Sequence, residues 1–253
     1  MLLILKLTLV PMLVVSVTLA TRRWGARIGG LLTGFPIVTG PALLFFALEQ
    51  GDQFASEAAR AVLVSLVGVA ASAVTYAWAA RRTPWWASLP LSWTSFFAIV
   101  LLVQRVPATA TAALVVALAS TALAQALLPR AGTHPAGPRP AWDLPLRVIA
   151  SMTLVVSVTS LAERLGPTLS GALTPFPVAV SILLGFSHAQ QGSSAAISFL
   201  RGFMPGMWSF AAFCFVLSVG IVALGTAMGF AAAIVTAVPM QAAVLWWMQR
   251  RSG

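Results

Sequence analysis

Residues 32–51, LTGFPIVTGPALLFFALEQG, and residues 173–192, LTPFPVAVSILLGFSHAQQG, are near copies of one another. Each belongs to an apolar run long enough to cross a bilayer, yet each carries prolines in its middle. Sliding the chain by 141 positions superposes the two. The match reaches back to LVVSVT at 13–18, which falls on LVVSVT at 154–159 without a gap. From 13 to 51, about 17 of 39 positions are identical, far more than unrelated apolar helices share, and duplication is the economical explanation. The offset also pairs Phe35 with Phe176, Pro36 with Pro177, Gly51 with Gly192, Lys6 with Arg147 and Arg60 with Arg201.

Around these copies the composition leaves little room for a soluble fold. Of 253 residues, 59% are hydrophobic and 8% charged, where a soluble domain carries roughly a quarter charged residues. The chain reads as an all-α integral membrane protein in which nearly everything is spanning segment, because each crossing takes about 20 residues. A net charge of +10 can signal nucleic acid, but the arginines are spread over short loops, so no nucleic-acid partner is expected. The only cysteine, Cys214, lies in an apolar run, and His134 and His188 are the only histidines. No disulfide framework, metal or other cofactor is expected. The first twenty residues are apolar, but Arg22, Arg23 and Arg27 follow the run instead of preceding it, the reverse of a secretory signal.

Apolar stretches place nine helices at about 2–20, 28–48, 55–80, 86–104, 107–128, 146–163, 168–189, 195–220 and 223–248. The polar segment 129–145 divides a first repeat of five helices, 1–128, from a second of four, 146–253. Basic residues collect after the first, third and fifth segments and at the end, whereas the second loop carries Glu49, Asp52 and Glu57. An outside amino terminus and a cytoplasmic carboxyl terminus put every strongly positive loop inside the cell, as expected for an inner-membrane protein. Five helices before the second repeat invert it relative to the first, an architecture common in secondary transporters.

Proline removes a backbone donor and clashes with the carbonyl four residues back. Within a bilayer the freed carbonyl persists only where protein, a hydroxyl or cavity water serves it. Thr33 and Thr174 precede the two Phe-Pro pairs, so Thr33, Phe35, Pro36, Thr174, Phe176 and Pro177 are the candidate substrate-binding residues, on paired discontinuous helices facing each other near the midplane; the alternative is a proline kink that only shapes packing. Arg60 and Arg201 join them because charge inside a helix is costly at membrane depth. Snorkelling to the interface is the plainer role for these two, and for Lys6 and Arg147. Basic residues at both mouths of a route favour an anionic solute. None of the five carboxylates, Glu49, Asp52, Glu57, Asp143 and Glu163, is placed at the midplane; Glu49 and Glu57 are the coupling candidates, with solvated loop charge as the plainer reading. Tryptophans such as Trp85, Trp93 and Trp247 suit aromatic belts near helix ends, and Trp208 suits core packing. No catalytic constellation stands out, so no enzyme is expected.

Residues 146–249 add a resemblance. An apolar first helix, then the Phe-Pro segment, then FLRGFMPGMWSFAAF at 199–213 and a last helix resemble the small four-helix GlpM-like inner-membrane family. Phe176, Pro177, Leu200, Arg201, Trp208 and Ser209 carry that likeness. The first half keeps Phe35, Pro36 and Arg60 but has Ala59 and Val67 in place of Leu200 and Trp208, and holds an extra helix. The resemblance implies membrane proteins linked to glycerol metabolism and exopolysaccharide production, with this chain a fused and diverged pair of such units.

The expected function is therefore a transporter or permease for a small, anionic solute, working by alternating access around the broken helices. The alternatives are a non-transporting membrane subunit that binds an envelope or polysaccharide-export partner, and a lipid-handling protein. The bilayer, a small-molecule solute and a homodimer or membrane partner are the expected associations.

Overall fold

The computed structural model describes residues 2–132, 142–165 and 176–250, and among these every regular element is a helix. In chain order they are α1 (Leu2–Trp24), α2 (Ala26–Thr33), α3 (Thr39–Gln50), α4 (Asp52–Ala79), α5 (Trp85–Val103), α6 (Ala110–Leu127), α7 (Asp143–Leu165), α8 (Val178–Gln191) and α9 (Ser193–Arg250). Four of the described helices, α4, α5, α6 and α9, are long and apolar enough to cross a membrane.

Helix α9 is two helices joined at a sharp turn. At 58 residues it would extend about 87 Å if straight, but Gly225 has φ 77 and ψ 166 and the chain doubles back there. Ser209 and Gln241 are hydrogen-bonded at 2.5 Å, although 32 helical residues would hold them about 48 Å apart. A Cβ on Gly229 would lie 2.9 Å from Cα of Ile221, so the hairpin is tight to its tip. The expected division between 220 and 223 thus falls at Gly225, the position where an L side chain would be strained.

The expected helix at 28–48 is divided at Pro36 into α2 and α3, with a non-helical 34–38 between them. The Leu32 carbonyl that a helical residue 36 would take is served instead by the Phe35 amide at 3.2 Å, and the Gly40 amide on the Pro36 carbonyl at 2.8 Å starts α3. Pro41 falls in the first turn of α3, where a missing donor is harmless. In the second half, residues 176–177 are non-helical and α8 starts at Val178. The rest of the segment expected from 168, with Thr174, lies outside the described residues.

Helices α4 and α9 form the centre. The first half of α9 lies against α2 and α4, and α5 and α6 cover the other side of α4. Leu63 and Tyr76 on α4 and Leu200, Met204 and Leu217 on α9 are fully buried. The contact between α2 and α9 is made by two Gly-x-x-x-Gly pairs, Gly30 with Gly34 and Gly202 with Gly206. A Cβ on Gly30 would land on the carbonyl oxygen of Phe199, and one on Gly202 on that of Arg27. A Cβ on Gly34 would lie 2.8 Å from Cα of Gly206. Without side chains at these four positions the two backbones touch, the usual device for apolar helices in lipid, where hydrophobicity alone does not drive association.

Candidate functional site

Both Phe-Pro segments come close to Phe203. The Phe203 backbone lies against Gly30 and Gly34 of the first break. Thr33 is buried, and its hydroxyl donates to the Gly29 carbonyl at 2.8 Å, not to the carbonyl that Pro36 frees. Gln241 serves the break from outside the segment, since its amide donates to the Leu31 carbonyl at 2.8 Å while its own oxygen accepts from Ser209. Pro36 is buried and Phe35 half-buried against the core.

The Phe203 side chain shares a void of about 10 Å³ with Pro177, Ser72, Ser92, Ser181 and Leu200, the threshold for one water. Ser181 donates to the Pro177 carbonyl at 2.9 Å and accepts from the Trp93 indole at 3.0 Å. Phe176 is 7% exposed and sits among Trp93, Phe96 and Phe97, stacked on Phe97 at 5.3 Å between centroids. Trp93 is therefore an interior residue and not part of a belt. The site is narrow, aromatic and hydroxyl-lined.

The two arginines lie away from it, at opposite ends of α6. Arg201 donates to the Leu128 carbonyl at 3.0 Å and the Pro129 carbonyl at 3.3 Å, so it closes the carboxyl end of α6, where a cation also suits the helix dipole. Arg60 is exposed and lines a surface cleft of about 200 Å³ with Glu57, Gln104 and Pro107, just before α6 begins. Of the coupling candidates, Glu49 is exposed, and Glu57 is exposed and accepts from Gln53 at 3.0 Å. Neither reaches the Phe-Pro segments.

Among the described carboxylates the buried one is Asp143, which carried no expected role and is 2% exposed. Arg22 of α1 bonds it at 2.6 Å and Arg147 at 2.7 Å, and Gln190 of α8 donates at 2.6 Å. Arg147, expected to snorkel, is 3% exposed, with its guanidinium over the Phe186 ring and a second bond to Gln190 at 3.3 Å. Burial works against the Asp143 charge, but the Gln190 and Arg147 hydrogen bonds, the Arg147 charge and the Arg22 hydrogen bond hold its carboxyl below the usual aspartate range. Two guanidiniums facing one carboxylate leave the cluster formally positive.

No family model, curated protein or solved structure matches this chain. Its site is described by its own geometry alone. Thr174 lies outside the described residues, as does the Lys6 side chain. Gln241 and Asp143 carry little signal of these roles in the sequence, because each stands alone in an apolar or linker-like context. The i+4 spacing of Asp143 and Arg147 is the one local sign of a pair.

Proposed function

We propose that this chain is an inner-membrane transporter or permease for a small, anionic solute, working by alternating access about the two Phe-Pro breaks. The observation that carries this is their convergence on Phe203, with three serine hydroxyls and Pro177 around one void. A void for one water suits a closed conformation, from which rocking of the halves would open either side. Surplus positive charge at the Asp143 cluster and Arg60 in its cleft favour an anion.

An inverted repeat of nine crossings accounts for several contacts. Gly51 (φ 90, ψ 166) and Gly192 (φ 81, ψ 176), partners at the 141-residue offset, join consecutive helices in one conformation. Ser209 and Gln241, bonded across the α9 hairpin, correspond to Gly68 and Val100, which touch across α4 and α5. Contacts between distant elements also join residues that the topology puts on one side. Arg22 with Asp143, Tyr76 with His188, and Arg201 with Leu128 fall inside, and Asp52 with Thr226 outside.

The test is flux. Pro36→Ala combined with Pro177→Ala, reconstituted in vesicles, should abolish uptake of small anions that the unaltered protein carries, while folded yield in the membrane is unchanged. Uptake retained by the double variant overturns the proposal.

A further inference from the structure

Trp208, expected in the core, is 40% exposed, as is Trp247. Together with Gln125, Pro205, Met240 and Ala243 they line a groove of about 390 Å³ between α6 and the two halves of α9. Apart from Gln125 its lining is apolar, and helix register puts two arginines beyond one end of it. Arg201 stands one turn before Pro205, at the carboxyl end of α6. The antiparallel register that pairs Ser209 with Gln241 brings Arg250 to the level of Arg201, and Arg250 lies 3.7 Å over the Trp246 ring. Gln125 ties α6 to the start of α9 at this end, its amide nitrogen facing the Arg201 carbonyl at 3.5 Å.

We infer that this groove holds one anionic phospholipid, its acyl chain along Trp208 and Ala243 and its phosphodiester at Arg201 and Arg250. An apolar surface in the bilayer gains nothing by binding just any chain, because bulk lipid covers it equally well. Selection must come from the headgroup, where guanidiniums suit a phosphate. Phosphatidylglycerol carries that charge uncompensated. Phosphatidylcholine carries a compensating cation.

This inference rests on the membrane reading above but not on transport, so its test involves no flux. The protein in neutral detergent is titrated with phosphatidylglycerol or phosphatidylcholine of identical chains while its thermal midpoint is followed. Phosphatidylglycerol at saturation should raise the midpoint by about 5 °C, and phosphatidylcholine should leave it in place. Ala243→Phe, whose position is exposed, fills the groove and should remove the shift. Arg250→Gln, near the chain end and outside the core, should weaken binding about tenfold, and decides the matter if the first variant is unstable. Equal shifts with both lipids, no shift at all, or a phosphatidylglycerol shift undiminished in both variants overturns the inference.

Discussion

Gly30 and Gly225 are both essential glycines for opposite reasons. At Gly30 the conformation is ordinary and the space is missing, because a methyl group would enter the Phe199 carbonyl. Gly30→Ala must push α2 from α9 and should destabilise by about 3 kcal/mol, as overpacking does. At Gly225 nothing lies within 4 Å of the added carbon, but φ is positive. Gly225→Ala should therefore cost about 1–3 kcal/mol of backbone strain, since that φ, ψ pair is essentially confined to glycine, with no neighbour displaced, and denaturation of the two variants in mild detergent reads both losses. Asp143 is a third case, where charge decides. Asp143→Asn leaves the Arg147 guanidinium buried without its counterion and should destabilise by about 3–5 kcal/mol. Since the folded carboxyl titrates below its ordinary range, its stabilising contribution is fully present above the unfolded value of about 4 and is lost as pH falls through the folded one. A pH series of melting midpoints should show that acid loss in the unaltered protein and a smaller one in Asp143→Asn.

Among the elements, α6 shows how the two ends of one helix are held differently. Its amino end is capped by Thr109, whose hydroxyl accepts from the Ala112 amide at 3.2 Å. Its carboxyl end is closed by Arg201 from α9. Arg201→Gln should therefore loosen the last turn of α6, and faster amide exchange around 124–128 than around 110–116 is the expected signature. A charge in an otherwise apolar stretch singled out Arg201, and its guanidinium closes the end of α6. No spacing rule could have named the Leu128 carbonyl, 73 residues away, as its partner.

For the whole molecule, apolar stretches, proline positions and glycine junctions were enough to expect helices throughout, the break at Pro36 and a turn near 220–225. These are local properties, set by a missing amide hydrogen, a positive φ, or the need of every backbone group in lipid for an internal partner. The repeat, too, is written in the sequence, as an identity at constant offset. Which faces meet was settled only in three dimensions. The approach of α2 to α9, the position of Phe203 close to both Phe-Pro segments and the gathering of Arg22, Asp143, Arg147 and Gln190 join residues between 4 and about 170 positions apart, and depend on how whole helices dock. In an apolar chain nearly every face of every helix is equally hydrophobic, so the pattern that in a soluble protein marks the buried side is absent. Close backbone approach at glycines and the pairing of scarce polar groups choose the partners instead.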